Sequence, residues 1–383
     1  MIKRIEFILK NNLIIQYFYK RVFSFIFRFI GLFIKTDPNL ILFNSFGGKK
    51  YNDSPKVIFE QLLNHPKSKK LKLVWALENP DNFDIPNAIK IEINSFKYFI
   101  IALKAKYWVS SVNIERGLKF KKDNTIYLNT WHGAGTKKIG NAVSKRKDYD
   151  FSNVNYLLVQ SNFEKNIFIN DFGAYEENFL LSGFPRSDEL FKTEKKQIDI
   201  YKRKLKIPKD KKIILYAPTW RESKNKGTSY DLNIPLDIKK WQEKLTDEYV
   251  ILFRTHTFTT NILNLKFNDL IIDVSDYPNV NHLLLISDIL ITDYSTIVFD
   301  YSILEKPFLC FGYDYKEYKN ERGLYIDLEK EYPNGVQKTE DEILELILNM
   351  NYEKECEKTR EFKSKYIEAG GNATELAIKS LLS

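Results

Sequence analysis

The sequence predicts an α/β protein of two doubly wound, parallel-sheet domains, and three observations carry that expectation. Short apolar runs of strand length alternate with helix-like stretches along most of the chain. The 383 residues are about twice the usual length of one domain. A charged helical stretch, residues 189–206, closed by Pro208, parts the runs into two sets. With 44% hydrophobic and 15% aromatic residues against 12 Pro and 15 Gly, the composition excludes disordered, collagenous and linker-rich chains. Two cysteines, Cys310 and Cys356, lack CxxC or metal-ligand spacing, which argues against a disulfide framework or a cysteine-built zinc site and reads as cytosolic.

The first element is residues 1–36, dense in Phe, Ile, Leu and Tyr and carrying a net charge of +6 out of the +9 of the whole chain. Its longest uncharged run, residues 11–19, is nine residues, where a spanning helix needs about 20. Its basic residues are interspersed and no small-residue cleavage site follows, unlike a secretory signal. A basic, aromatic-rich helix lying on an anionic bilayer surface fits this pattern, with Phe and Ile at the acyl boundary and Lys and Arg on the headgroups. The alternative is a core-packing helix whose long cations snorkel. The nearly balanced charge of the remainder gives no reason to expect nucleic acid as a partner.

After Asp37-Pro38, strands are expected at 40–44, 71–76, 89–93, 107–112, 125–129 and 156–160, and again at 212–217, 249–254, 270–274, 289–292 and 308–311, with helical stretches between them. The predicted division is 1–36, 37–195 and 196–383, and residues 353–379 read as a terminal helix pair broken at Gly370-Gly371. Doubly wound sheets bind ligands beyond the carboxyl ends of their strands, in the cleft two such domains imply, so motifs should follow strands.

They do. His132 follows the 125–129 strand in Thr130-Trp131-His132-Gly133-Ala134-Gly135-Thr136-Lys137-Lys138, where glycines, two lysines and one titratable base suit a phosphate-facing loop. Arg254 and His256 follow the 249–254 strand two residues apart, on one side of an extended chain, and both donate well to an oxyanion. Ser295 and Thr296 end the 289–292 strand and open a helix, a place for an anion or for simple N-capping. Asp314, after the 308–311 strand among Tyr313, Tyr315 and Tyr318, suits a ribose or base edge. His65 reads as solvated and His282 as packing or surface. Asp148-Tyr149-Asp150 has DxD spacing but no adjoining strand end, and no metal site or cofactor is expected. GxGxxG, P-loop, GxSxG and HExxH strings are absent.

Taken together, Trp131-His132-Gly133, Ser182-Gly183-Phe184-Pro185-Arg186-Ser187-Asp188, Leu215-Tyr216-Ala217-Pro218-Thr219-Trp220-Arg221, Arg254-Thr255-His256 and Ile291-Thr292-Asp293-Tyr294-Ser295-Thr296 resemble, in kind and order, the CDP-glycerol glycerophosphotransferase family of teichoic-acid and capsule biosynthesis. That resemblance implies a GT-B-like pair of Rossmann-type domains, attachment to the cytoplasmic face of the membrane, a CDP-alditol donor with glycerol foremost, and a polyprenyl-lipid-linked or polymeric acceptor. By the same resemblance His132 and His256 are the catalytic candidates, His132 as base on the acceptor hydroxyl and His256 with Arg254 on the donor phosphates. Ser295 and Thr296 would cradle the pyrophosphate, Asp314 would face the donor, and Lys137, Lys138, Arg186 and Arg221 are candidate acceptor or phosphate contacts. The sequence departs from the family pattern at Ala134-Gly135-Thr136, at Thr257 and at Thr296, the last keeping a hydroxyl. A nucleotide-sugar glycosyltransferase and a non-catalytic membrane scaffold share the expected fold and stand as the rival readings.

Overall fold

The computed structural model describes residues 13–133, 135–143, 148–219, 231–233, 235–255, 261–263 and 268–383. These form an α/β fold of parallel sheets in two compact units. The first unit holds β1 (Asp37–Asn44), β2 (Lys72–Leu77), β3 (Ile89–Glu92), β4 (Ala105–Ser110), β5 (Ile126–Asn129), β6 (Tyr156–Val159) and β7 (Phe179–Leu181). They pair in the order β3-β2-β1-β4-β5-β6-β7, every pair parallel. Strands buried on both faces read as continuous apolar runs, which is why Leu40–Phe43 and Val74–Leu77 are apolar throughout and shielded from solvent. Ile41, Phe43, Trp75 and Leu128 pack under the helices Asp53–Leu63 and Ala373–Leu382, while Tyr98 and Ala102 of the helix Phe96–Lys104 are buried with Trp108.

The second unit holds β8 (Lys212–Tyr216), β9 (Asp231–Asn233), β10 (Tyr249–Phe253), β11 (Asn261–Leu263), β12 (Ile271–Asp273), β13 (Ile289–Thr292) and β14 (Phe308–Cys310). Five pair in parallel as β12-β10-β8-β13-β14, and β9 pairs with β11 separately. Trp241 and Leu245 of the helix Ile238–Leu245, with Ile343, Leu344 and Ile347 of the helix Glu340–Leu348, cover the Tyr216, Ile251 and Ile291 face. The second of these helices opens with a capping box between Thr339 and Glu342. Counted within its own unit, each sheet runs 3-2-1-4-5 outward, the doubly wound order, with switch points at β1/β4 and β8/β13. All eleven expected strands are present, with ends within three residues of the expected ones, and β7, β9 and β11, of three residues each, are additional.

The units part between Asp188 and Glu189, where the sequence places the division near 195, and each takes a segment from elsewhere in the chain. Residues 372–383 return to the first unit because the Asp188 carboxylate accepts hydrogen bonds from the Ala373 N–H at 2.9 Å, the Thr374 N–H at 2.8 Å and the Thr374 hydroxyl at 2.6 Å. Ala377 and Leu381 then complete that core. Residues 135–139 belong to the second unit: the Tyr325 N–H donates to Thr136 O at 2.9 Å, and the Lys138 N–H to Gly323 O at 3.1 Å.

The N-terminal segment is a helix, Leu13–Phe33, fastened to the first unit by a narrow stripe. Phe27 stacks on Phe99 at 4.4 Å, Arg28 Nε donates to Lys119 O at 2.7 Å, and the Lys119 N–H donates to Ser24 Oγ at 2.9 Å. Eleven large apolar side chains on this helix, from Ile15 to Phe33, are more than a third exposed, so a stripe of contacts leaves most of its apolar surface uncovered. No helix among the described residues is long and apolar enough to cross a membrane.

In the second unit, Lys306 donates to Leu285 O at 2.8 Å and Ser287 O at 2.7 Å, satisfying carbonyls at the end of the helix Val280–Ile286. Burial brings its pKa down to about 8. Between pH 8 and 10.5 the unfolded chain therefore holds a proton that the folded chain has released, so this residue makes stability rise with pH across that window. Urea melts of wild type and Lys306→Met should show the stability difference shifting towards wild type by about 3 kcal/mol between those limits. A pH-independent difference would contradict the assignment.

Candidate active site

In the first unit the site residues gather at the carboxyl edge of the sheet, and β1/β4 organises them. The Ser111 N–H donates to Asn44 O at 3.2 Å and Ser111 Oγ accepts from the Phe46 N–H at 3.1 Å, which ties the loops after β1 and β4 together. His132, after β5, places Nδ1 2.8 Å from Ser111 O. A carbonyl only accepts, so the neutral ring carries its proton on Nδ1 and its lone pair on Nε2, the form a general base requires.

The ring is held from both sides. It stacks on Trp131 with centroids 4.2 Å apart and meets Phe46 at 5.1 Å. Trp131 itself has φ +47°, a left-handed conformation that a bulky residue adopts only under constraint. The constraint comes from Asn129, whose Oδ1 accepts from the Trp131 N–H at 2.8 Å and whose Nδ2 donates to Val112 O at 2.8 Å. Trp131 Nε1 donates to Gly133 O, and its ring packs among Phe151, Phe168 and Phe172. Gly133, at φ +112°, completes a turn that a Cβ would strain. At the same sheet edge, Arg186 follows β7, lies over the Phe184 ring at 4.6 Å and faces Asp53 at 3.6 Å.

In the second unit Arg254 directly follows β10. Its Nη1 donates to Val274 O at 2.9 Å and Tyr277 O at 2.7 Å, so one prong of the guanidinium supports the loop after β12. Burial lowers its pKa from the usual arginine value, with Asp276 opposing. Ser295 Oγ accepts from the Ile297 N–H at 3.3 Å, and Thr296 is the N-cap residue of a six-residue helix, Ile297–Ser302, without a side-chain capping bond. Asp314 accepts from the Tyr294 hydroxyl at 2.7 Å, and Tyr294 stacks on Tyr318 at 4.0 Å. Lys137 and Lys138 lie on the segment bridged to Gly323 and Leu324 of the second unit. His256 and Arg221 lie outside the described residues.

Sequence reasoning includes Asp293 in its motif but gives it no role of its own. This buried residue at the end of β13 accepts from the Thr219 N–H at 2.9 Å, from the Thr219 hydroxyl, and from the Tyr294 N–H at 2.7 Å. It thereby joins the loops after β8 and β13, the two strands of the switch point. An aspartate following an apolar strand into a Tyr-Ser-Thr turn was the available signal. His282 is packing: it stacks on Tyr201 at 3.7 Å, and Nε2 lies 3.2 Å from Glu189 Oε1. Among the described residues no group of three or more His, Cys, Asp or Glu is placed to hold a metal ion.

A family model described as CDP-Glycerol:Poly(glycerophosphate) glycerophosphotransferase matches residues 26–379. The teichoic acid poly(glycerol phosphate) polymerase of Staphylococcus epidermidis is 36% identical over 319 residues, 78% of this chain, which spans 44% of that relative's length. The protein of the same description from Bacillus spizizenii is 33% identical over 389 residues, covering 95% of this chain and 98% of the relative. A solved structure of the wall teichoic acid polymerase TagF superposes with a TM-score of 0.80 at 33% identity, over 90% of each chain.

Proposed function

Because the chain belongs to the CDP-glycerol:poly(glycerophosphate) glycerophosphotransferase family, and so is a glycerophosphotransferase, we propose that it transfers glycerol phosphate from CDP-glycerol to a hydroxyl of a lipid-linked or polymeric acceptor, releasing CMP, in teichoic-acid or capsular polymer synthesis. The observation that carries this reading is His132, held by Ser111 O in the tautomer that leaves Nε2 basic. In the proposed step Nε2 takes the proton of the acceptor hydroxyl, whose oxygen attacks the phosphorus bearing the glycerol. The phosphorus–oxygen bond to CMP breaks in line. Phosphoryl transfer asks the protein mostly for positioning and countercharge. Arg254, His256, Ser295 and Thr296 supply these to the donor phosphates, with Asp314 towards the nucleoside and Lys137, Lys138, Arg186 and Arg221 as further phosphate or acceptor contacts. The two units act as a GT-B-like pair.

Phosphorus NMR on the full chain with CDP-glycerol, CDP-ribitol and a nucleotide sugar, each with acceptor, tests the reaction class. The expected result is CMP together with a new phosphodiester from a CDP-alditol. Release of a nucleoside diphosphate from the sugar donor alone would replace this reading with glycosyl transfer.

The helix Leu13–Phe33 is proposed as a peripheral anchor on the cytoplasmic face of the membrane, with its exposed Phe25, Phe29, Leu32 and Phe33 at the acyl boundary. Lys20, Arg21 and Lys35 would add about 1 kcal/mol each on anionic lipid. Deleting residues 1–36 should release the protein from anionic vesicles while sparing donor binding. Unchanged sedimentation with vesicles would remove the idea.

A further inference from the structure

The first unit contains a cavity of about 530 Å³ that the proposed chemistry does not use. Part of its lining lies next to the amino ends of strands, with Asp123 before β5, Asn155 before β6 and Asn178 before β7, while Asn113 and Glu115 come from the loop after β4. Residues 130–138, the loop that carries His132 after the carboxyl end of β5, are not among the lining residues. The volume falls in the range of small-molecule sites.

Four side-chain amides stand in its lining among charged residues, each clamped at one end. Asn113 Oδ1 accepts from the Glu115 N–H at 2.7 Å, and Asn155 Oδ1 from the Tyr127 N–H at 2.8 Å. Asn178 Nδ2 donates to Val154 O at 2.5 Å, and Asn153 Nδ2 donates to the Glu115 carboxylate. Among the described residues, the opposite ends of these four amides have no hydrogen-bond partner, which leaves two amide donors and two carbonyl acceptors fixed in direction. The exposed ring of Tyr175 stands in the lining as an apolar platform.

Charge argues against an anion. Three cationic side chains face four acidic ones, Lys119 is paired with Asp150, and Arg28 Nε is held by Lys119 O. A hydroxyl both donates and accepts, and a row of vicinal hydroxyls matches alternating amide donors and acceptors beside carboxylates. We propose that this cavity binds a neutral polyhydroxylated ligand, either a saccharide ring or an alditol, at a lining that does not include the His132 loop. Through Arg28 the helix Leu13–Phe33 contributes to the wall of the cavity.

The test is saturation-transfer NMR and calorimetry on the full chain with methyl glucoside, ribitol, glycerol and inorganic phosphate as probes. At least one polyol is expected to bind with a Kd of about 10 mM or tighter. Preference for methyl glucoside would identify a saccharide, and preference for ribitol an alditol. Asn155→Asp keeps the acceptor for the Tyr127 N–H but removes the Nδ2 donor, and should weaken binding about tenfold. Tyr175→Ala, at an exposed position that does not threaten folding, should weaken it several-fold. The proposal is overturned if no polyol binds, if phosphate alone binds, or if Tyr175→Ala leaves the affinity unchanged.

Discussion

His132→Ala is expected to lower turnover by roughly 10²–10⁴ while the dissociation constant for CDP-glycerol stays within about threefold of wild type. The split follows from geometry. Ser111 O fixes the proton on Nδ1, and stacking on Trp131 with Phe46 alongside fixes the ring plane, so the side chain is built to present Nε2 to one incoming proton. A positioned base contributes to the transition state and little to donor binding, which the proposal assigns to the second unit. Gln at this position restores hydrogen bonding but cannot take up a proton at neutral pH, so it should not rescue. The rate should also fall as acid protonates the base, and that limb should disappear in the variant's residual activity. The pair of values, turnover and donor dissociation constant, decides the matter. Turnover within threefold of wild type, or donor binding that collapses together with it, would show that His132 is not the base.

Asp293→Ala should have the largest effect on stability. Its carboxylate gathers the Thr219 N–H, the Thr219 hydroxyl and the Tyr294 N–H, all in a buried setting. Removing the acceptor strands three donors away from water, at a combined cost of about 3–5 kcal/mol. Asp293→Asn retains an oxygen that can accept but loses the charge, and should cost about half as much. Because this residue joins the loops after β8 and β13, the asparagine variant, still folded, should also lose at least about tenfold in CDP-glycerol affinity. Denaturant melts and calorimetry read the two effects separately. A loss below about 1 kcal/mol for Asp293→Ala would mean the loops hold together without it, and full donor affinity in Asp293→Asn would remove the link to the site.

Much of this architecture was legible before any coordinate. Apolar runs buried on both faces of a parallel sheet are local signals, and the eleven strands read from them agree with the structure to within three residues. The position of His132 and Arg254 was legible in the same way, since residues following strands fall at the carboxyl edge of a doubly wound sheet whatever the details of packing. Order and wording of the motifs also placed the family, which the match over residues 26–379 shows.

What the sequence could not determine depends on partners far apart in the chain. The three-residue strands β7, β9 and β11 are too short for periodicity to register, and exist because a neighbouring strand offers a ladder. The return of residues 372–383 to the first unit is decided by Asp188, which lies 185 residues from Ala373. Nothing local in either segment names the other. Arg254 reads as a free cation after a strand, yet its direction is set by the carbonyls of Val274 and Tyr277, and the weight carried by Asp293 appears only once Thr219 is brought beside it. The tautomer of His132 is of the same kind, set by a backbone carbonyl 21 residues upstream. Pattern and composition determine which residues form elements and which edge they occupy; the hydrogen bonds that aim them are made by non-local backbone groups, which every residue carries alike and no sequence distinguishes.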